Sequence, residues 1–301
     1  GFTEDFDLPN LEAYCETCAS VGMVLWNQRM NQFTGDSKYI DVLERSMYNG
    51  VLAGISLAGD RFFYVNPLES LGRHHRQAWY GCACCPSQIS RFLPSIGSYI
   101  YGVSDNALWV NLFIGSNAEV RLGRRDLTLV QETGYPWNGD VKLTVNADAS
   151  FNKEIRVRIP GWCKAYTLNV NGEIVNAPVE KGYAVISRRW NDGDVIGLSM
   201  EMPVEIVAAD ERVKADEGKR AVQRGPLVYC MEDVDNQAYD NVLLSDSTTL
   251  TPTFDTDLLG GIVRIDGETA GQPFRLIPYY GWDNREAGRM KVWIDSVRNE
   301  N

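Results

Sequence analysis

The sequence predicts a mixed, multidomain fold in which a short helical section is followed by β domains. Helical patterns come first, at residues 19–33, 38–48 and 86–101. From Asp105 onward the pattern changes to short runs that are rich in β-branched and aromatic residues, several of which alternate strictly. This change near residue 104 predicts that the helical and β parts belong to different domains.

Five runs carry the β prediction: ALWVNLFI, VKLTVNA, KEIRVRIP, YAVISRRW and DVIGLSMEM. The Asn171-Gly172 pair in NVNGEIV is a dipeptide that two-residue hairpins favour, because both residues tolerate positive φ. Short strands separated by turns are typical of a β-sandwich. We therefore expect a helical domain at 1–103, a β-sandwich at 104–205, and a second β domain or a return to the sandwich at 206–301.

The composition is that of a globular protein with several cores. The chain has 301 residues, of which 44% are hydrophobic and 23% are charged. Its net charge of −11 argues against nucleic acid or an anionic membrane surface as partner and favours a neutral or weakly charged ligand. No membrane span or signal peptide is recognisable, so any targeting segment would lie upstream. A bacterial cytoplasm or periplasm, and an oligomer, are compatible with this composition.

Three of the seven cysteines lie in one short stretch, YGCACCPSQISRF, as Cys82, Cys84 and Cys85. An odd number without even spacing does not indicate a disulfide scaffold, and adjacent cysteines rarely bridge each other. Metal or redox chemistry is therefore favoured for this stretch. By contrast, Cys163 and Cys230 lie in strand patterns and are expected in the core.

The proline that follows the adjacent cysteines predicts where a helix begins. Pro86 suits a first helical turn, so Cys84 and Cys85 are expected at or just before the N-cap. The positive end of the helix dipole would stabilise a thiolate there and lower its pKa.

A second pair of candidate ligands, Glu16 and Cys18, lies in CETCAS ahead of another helix. Both can face one metal only if that helix begins at about residue 17 or 18, with Thr17 as a plausible N-cap. Together with the adjacent cysteines they give three thiolates and one carboxylate, a set that suits tetrahedral zinc. From spacing alone, buried small apolar side chains remain the alternative, and Cys15 and Cys82 are expected as neighbours rather than ligands.

Several longer segments closely resemble the β-L-arabinofuranosidase family, glycoside hydrolase family 127, and its relative family 146. They are DLPN, ETCASVGM, FFYVNPLES, CACCPSQISRFLPSIGSYIY, QRGPLVYC and PYYGWDNREAGRMKVWI. The resemblance implies that 1–103 is the C-terminal part of an (α/α)6 barrel followed by β-sandwich domains. It also implies a retaining exo-hydrolase that releases terminal β-L-arabinofuranose or a related sugar from a small-molecule or oligosaccharide substrate.

The same resemblance implies specific roles for individual residues. It places the nucleophile at Cys84 and suggests that Glu44 and Tyr64 face the sugar hydroxyls. It places the zinc ligands at Glu16, Cys18, Cys84 and Cys85. From the sequence alone, Glu44 is equally explained as a solvated charge on a helix, and Tyr64 as an aromatic residue in a strand.

The acid/base residue of the family does not align within this sequence. The family glutamate would fall just ahead of Gly1, and the nearby Glu4 and Asp5 do not match its position. We therefore expect a fragment that lacks this glutamate and the N-terminal helices, and that is inactive by itself. His74 and His75 either line the pocket or lie in a surface loop.

Two other functions use the same cysteines. A structural zinc site in a carbohydrate-binding module would need the ligands but no nucleophile. A thiol redox protein would use Cys82, Cys84 and Cys85 without metal.

Overall fold

The computed structural model describes residues 3–297, which are mostly β-sheet with few helices. The domain ends predicted at residues 1 and 301 lie outside this range. The chain divides into two compact units, here called unit 1 and unit 2. Unit 1 comprises Gly1–Gly22, Arg45–Arg91 and Pro203–Asn301, and unit 2 comprises Met23–Glu44 and Phe92–Met202.

Residues that favour turns limit the first two helices. The α-helices among the described residues are α1 (Thr17–Thr34), α2 (Lys38–Arg45), α3 (Cys84–Phe92) and α4 (Gly97–Ile100). After α1, Gly35 takes φ +63° and its N–H donates to the Asn31 carbonyl at 2.7 Å. Asp36 then accepts from the Lys38 N–H at 3.0 Å and caps the start of α2. The predicted helices at 19–33 and 38–48 are confirmed in place, though not in every boundary.

The end of the second predicted helix is irregular. After α2 the chain continues as a π-helix, Ser46–Val51. The Asn49 side chain donates to the Arg45 carbonyl at 2.8 Å, so this carbonyl is bound by a side chain. Short 3-10 helices occur at Leu52–Gly54, Leu93–Ser95, Lys214–Asp216, Asp233–Asp235, Tyr239–Asn241, Leu258–Gly260 and Tyr279–Gly281.

The helical pattern predicted at 86–101 is confirmed in part. The structure has α3 up to Phe92, a 3-10 turn at Leu93–Ser95, then α4, and Tyr101 already begins a strand. Pro94 lacks an N–H and its ring clashes with the preceding turn of an α-helix, which explains the break.

Two sheets form the β part of unit 2. The order in the five-stranded sheet is β10-β11-β7-β3-β2, and in the six-stranded sheet it is β4-β5-β6-β12-β8-β9. Only the β3–β7 pair is parallel among these described strands. The strands are β2 (Tyr101–Val103), β3 (Ala107–Val110), β4 (Ser116–Leu122), β5 (Arg125–Thr133), β6 (Asp140–Asn146), β7 (Phe151–Arg158), β8 (Tyr166–Val170), β9 (Glu173–Ile174), β10 (Val179–Glu180), β11 (Tyr183–Trp190) and β12 (Asp194–Met200).

Most of the strand predictions for unit 2 are confirmed. Buried and more exposed residues alternate along β4 and β6, as in a sheet with one face on a core. Asn171 and Gly172 both have positive φ and join β8 to β9, as the hairpin motif predicted. The core prediction for Cys163 is wrong, because this half-buried residue lies in a loop where its thiol contacts the Ala165 carbonyl.

Unit 1 contains an antiparallel nine-stranded sheet among its described residues. Its main path is β1-β19-β15-β18-β17-β16, and β14 pairs with β13, β15 and β20. Cys230 is fully buried in this sheet, as predicted. The strands are β1 (Glu69–Leu71), β13 (Val204–Val207), β14 (Lys219–Arg224), β15 (Leu227–Glu232), β16 (Leu250–Asp255), β17 (Ile262–Thr269), β18 (Gln272–Pro278), β19 (Arg289–Lys291) and β20 (Ile294–Asp295).

None of the helices within residues 3–297 combines the length and the apolar character that a membrane span requires.

Candidate active site

The start of α1 brings Glu16 and Cys18 to the same side. Glu16 is extended and forms a β-bridge with Val65, while its carbonyl accepts from the Ser20 N–H at 3.1 Å. Glu16 is therefore the cap residue, and Cys18 belongs to the first helical turn. Because only Cys18 has helical backbone geometry, the two side chains can converge although they are two residues apart.

Thr17 does not cap α1, contrary to the prediction. Its hydroxyl donates to the Phe63 carbonyl at 2.9 Å, and its N–H donates to the Tyr64 carbonyl at 3.0 Å. Asn66 also donates to the Thr17 hydroxyl at 2.9 Å. Thr17 thus ties the start of α1 to the segment that carries Tyr64.

The adjacent cysteines lie in the first turn of α3. The Ala83 carbonyl accepts from the Ser87 N–H at 3.3 Å, so the helix begins two residues earlier than predicted and Cys84 and Cys85 lie just inside it. The first helical turn is still the end where the dipole favours negative charge. Cys85 is fully buried, whereas Cys84 is partly accessible.

The structure brings four predicted ligands together. The donor atoms of Glu16, Cys18, Cys84 and Cys85 all lie within 4.8 Å of one another. Cys85 Sγ lies 3.5 Å from Cys18 Sγ and 3.9 Å from Cys84 Sγ. Glu16 Oε1 is 3.6 Å from Cys84 Sγ and 3.8 Å from Cys85 Sγ. All seven cysteines are free thiols, and this group could hold one metal ion.

Tyr64 contacts Cys84, one of the four candidate ligands. Its hydroxyl is hydrogen-bonded to Cys84 Sγ at 3.2 Å, and this bond lowers the pKa of Cys84 and raises the pKa of Tyr64. Burial acts in the opposite direction on the neighbours, since it raises the pKa of Cys18 to about 11 and also raises the pKa of Cys85. Cys84 is therefore the thiol of this group that loses its proton most readily.

Two tyrosines outside the predicted set surround Tyr64. The Tyr80 hydroxyl accepts from the Tyr64 N–H at 3.2 Å, and the ring centroids lie 5.5 Å apart. The ring of Tyr14 lies 6.5 Å from that of Tyr64. Tyr80 was missed although it stands two residues before Cys82, because a lone tyrosine beside a cysteine motif has no distinctive spacing.

Glu44 lies in unit 2 and has a strong structural partner there. Its carboxylate is 1% exposed and accepts from Nη2 of Arg158, whose side chain is fully buried. Asp41 accepts from Nη1 of the same guanidinium at 2.8 Å. Sequence analysis missed Arg158, which lies 114 residues from Glu44 and outside any motif.

The two histidines have defined contacts in unit 1. The ring of His74 stacks on Phe63 at 4.9 Å, and its Nε2 lies 2.9 Å from the Val65 carbonyl. His75 Nδ1 lies 2.6 Å from the Asp283 carboxylate and the side chain is 41% exposed. His74 is thus a packing residue, and His75 is a partly exposed hydrogen-bond partner of Asp283.

Gly54 sets how closely the starts of α1 and α3 approach. A Cβ at this position would lie 2.4 Å from Cγ2 of Thr17 and 2.8 Å from Cδ1 of Ile89. We expect Gly54→Ala to destabilise the protein by about 1–3 kcal/mol, because the methyl group overpacks a filled space. Gly81→Ala is the matched control, since nothing lies within 4 Å of its Cβ position. Urea unfolding that gives equal stabilities for the two variants would contradict this.

The chain matches three family models in succession. Residues 1–98 match the GH127 catalytic domain of β-L-arabinofuranosidase, 107–202 the GH127 middle domain, and 204–295 the C-terminal domain of glycoside hydrolase family 127.

Curated and solved relatives agree with these matches. A non-reducing end β-L-arabinofuranosidase of Bifidobacterium longum subsp. longum is 40% identical over 335 aligned positions, which cover 97% of this chain and 50% of the relative. A GH127 β-L-arabinofuranosidase structure from Geobacillus stearothermophilus T6 gives a TM-score of 0.93 at 43% identity, covering 98% of this chain and 52% of that one. A structure described as a GH127 β-arabinofuranosidase gives a TM-score of 0.94 at 41% identity, covering 98% of this chain and 51% of that one.

The chain thus spans about half the length of these relatives. The matches nevertheless extend over nearly the whole chain, in both sequence and structure. This chain therefore belongs to the β-L-arabinofuranosidase family, glycoside hydrolase family 127.

Proposed function

We propose that the protein is a retaining exo-glycosidase that releases terminal β-L-arabinofuranose or a closely related sugar through a cysteine nucleophile beside a zinc ion. The observation that carries this proposal is the convergence of one carboxylate and three thiols in a chain of glycoside hydrolase family 127. The Bifidobacterium longum relative is a non-reducing end β-L-arabinofuranosidase, which supports the proposed sugar.

Zinc suits the donor set by chemistry and by spacing. A tetrahedral ion with Zn–S distances near 2.3 Å separates its sulfur ligands by about 3.8 Å, and a sulfur from a carboxylate oxygen by about 3.5 Å. The Cys85 Sγ distances to Cys18 and Cys84 are 3.5 and 3.9 Å, and Glu16 Oε1 lies 3.6 Å from Cys84 Sγ. We propose that Glu16, Cys18, Cys84 and Cys85 hold the ion. Bound zinc would keep its thiol ligands deprotonated near neutral pH.

Cys84 is the proposed nucleophile. Its partly accessible sulfur and its hydrogen bond to Tyr64 distinguish it from the fully buried Cys85. Cys84 Sγ would form a bond to the anomeric carbon while the bond to the leaving oxygen breaks and that oxygen takes a proton from a general acid. Water would then displace the sulfur, so two inversions retain the configuration. We assign the proton donor to no residue in the described range.

The sugar contacts proposed for Tyr64 and Glu44 have unequal structural support. Tyr64 is half-buried and touches the proposed nucleophile, so a sugar at Cys84 would come near its hydroxyl. Glu44 is buried against Arg158, which supports a role as counter-ion. The sugar contact of Glu44 stays a prediction.

We also propose the domain division predicted from the sequence. In this proposal 1–103 is the C-terminal part of an (α/α)6 catalytic barrel, 104–205 is a β-sandwich, and 206–301 is a second β domain. The three successive family models support the division.

We expect about one zinc per chain in protein purified under reducing conditions, because the four donors are already grouped. Replacing Cys18 by Ser should lower zinc affinity by more than about tenfold, since it removes a ligand. Elemental analysis and competition with a chelator measure both quantities. Cys163→Ser is the control, because this cysteine lies in a loop of unit 2.

A lack of zinc after reduction and zinc addition would overturn the metal proposal and leave a thiol redox protein. The observation that favours a redox function is the 3.5 Å separation of the Cys18 and Cys85 sulfurs, although the sequence had suggested Cys82, Cys84 and Cys85 for that role. Zinc without covalent labelling of Cys84 by a sugar-mimicking inactivator would instead favour a structural zinc site in a carbohydrate-binding module.

A further inference from the structure

The backbone on either side of Tyr64 is held by the segment at residues 77–80. Phe62 and Gln77 exchange two backbone hydrogen bonds, each of 2.8 Å. The Tyr80 hydroxyl accepts from the Tyr64 N–H at 3.2 Å and donates to the Phe62 carbonyl at 3.0 Å. The position of Tyr64 therefore depends on where residues 77–80 lie.

Phe63, the neighbour of Tyr64, is held by three side chains. Its fully buried ring stacks on Trp282 with centroids 4.8 Å apart and on His74 at 4.9 Å. The Arg76 guanidinium lies 4.2 Å from the same ring centroid. Two of these side chains come from the loop before residue 77, and Trp282 comes from the turn after β18, more than 200 residues away in sequence.

Arg76 binds this loop to that turn. Its guanidinium is buried and donates to the carbonyls of Ala53, Tyr280 and Trp282. Burial lowers the pKa of Arg76 to about 10, so the side chain remains a cation at neutral pH. A buried cation that donates to several carbonyls fixes the separation of the chain segments that supply them.

Asp283 completes the connection. Its Oδ1 lies 2.6 Å from Nδ1 of His75, and its Oδ2 accepts from the Arg76 N–H at 2.8 Å. Its own N–H donates to the buried Glu232 carboxylate of β15 at 2.9 Å. Asp283 has φ +58°, a left-handed backbone conformation that Asp and Asn tolerate better than most residues. Both carboxylate oxygens are thus used to hold residues 75–76.

We propose that Asp283 is a positioning residue for the active site: it holds residues 75–76, and through Phe63 it places the Tyr64 hydroxyl against Cys84. The C-terminal β section thereby organises the catalytic centre. This inference rests on the proposed function, because it takes the Tyr64–Cys84 contact as part of the catalytic machinery.

The test compares Asp283→Asn with its parent and with Tyr64→Phe. Asn keeps the size and tolerates the backbone conformation, but it replaces one acceptor oxygen by a donor. The rate of Cys84 alkylation by iodoacetamide at neutral pH, followed by peptide mass spectrometry on reduced protein that a chelator has freed of metal, reports the Tyr64–Cys84 contact. We expect Cys84 alkylation to be about fivefold slower in Asp283→Asn, because the hydrogen bond between Tyr64 and the Cys84 sulfur is weakened. In the Tyr64→Phe background it should cause no further change.

Asp235→Asn is the matched control. Asp235 pairs with Arg285 in the same polar network, and its side chain is 12% exposed against 10% for Asp283. The rate of Cys84 alkylation in Asp235→Asn should stay within about twofold of the parental rate. The rate of Cys163 alkylation should likewise stay within about twofold in every variant. Trp282→Phe, which shrinks the ring stacked on Phe63 and leaves Asp283 intact, should slow Cys84 alkylation in the same Tyr64-dependent way.

The proposal is overturned if Cys84 is alkylated at the parental rate in both Asp283→Asn and Trp282→Phe. It is also overturned if either slows the reaction equally in the Tyr64→Phe background, or if Asp235→Asn slows it as much. Thermal unfolding shows which variants are folded and enter the comparison. Failure of zinc binding or of sugar labelling would reject the proposed function but would leave this comparison of alkylation rates interpretable.

Discussion

In a longer form of the protein that supplies the general acid, Cys84→Ser is expected to lower kcat/KM for an activated arabinofuranoside by about 10³-fold or more, because it removes the atom that attacks the anomeric carbon. Intact-mass analysis of the parent with a covalent furanoside inactivator should show one added sugar, and peptide mapping should place it on Cys84. Cys84 is the expected site because its pKa is lowered by the hydrogen bond to Tyr64, whereas burial raises the pKa of Cys85.

Cys85→Ser separates nucleophilic attack from metal binding. Both serine variants should bind the metal more weakly, but only Cys84→Ser should abolish labelling by the furanoside inactivator. Cys82→Ser is the second control, since Cys82 is exposed and is not part of the four-residue donor group. Labelling at Cys85 or Cys82 in the parent would show that Cys84 is not the nucleophile.

Glu44→Gln is expected to reduce the free energy of unfolding by about 3 kcal/mol, because it leaves the buried Arg158 guanidinium with a weaker set of partners. The loss lies at the lower end of the usual range for a broken buried pair, since Asp41 still accepts from Arg158 at 2.8 Å. Urea unfolding measures the change.

Glu132→Gln is the control for this pair. Glu132 pairs with Lys142 at 2.8 Å, but both side chains are more than half exposed, so its loss should cost less than about 1 kcal/mol. Equal stability of the two variants would contradict the counter-ion role of Glu44. An unchanged stability, together with a raised KM in the longer form that supplies the general acid, would instead support the sugar contact predicted from the sequence.

Local sequence signals predicted elements that are held by contacts close in sequence. The helix at 19–33 and the hairpin at Asn171-Gly172 follow from side-chain periodicity and from residues that tolerate positive φ. The helical pattern at 86–101 is interrupted in the structure at Pro94, which lacks the N–H that a continuous helix needs. The prediction that Cys163 lies in the core is wrong because the strand pattern near it does not extend to Cys163 itself.

The candidate ligands could be named from the sequence because thiols and carboxylates are the groups that bind zinc, whatever the fold. Their convergence within 4.8 Å depended on where α1 and α3 begin, and both starts involve contacts that the sequence does not reveal. Thr17 was predicted to cap its own helix, but in the folded protein its hydroxyl donates to Phe63, 46 residues away.

By itself, the sequence determined the order of helical and β sections, the family, and the residue types of the candidate site. Only the tertiary structure revealed that Arg158 pairs with Glu44, and that Asp283 holds the loop behind Tyr64. The physical reason is that a buried charge needs a partner, but the partner can come from any distance along the chain. Such pairs carry no spacing that one sequence can show, whereas helices, hairpins and adjacent cysteines do.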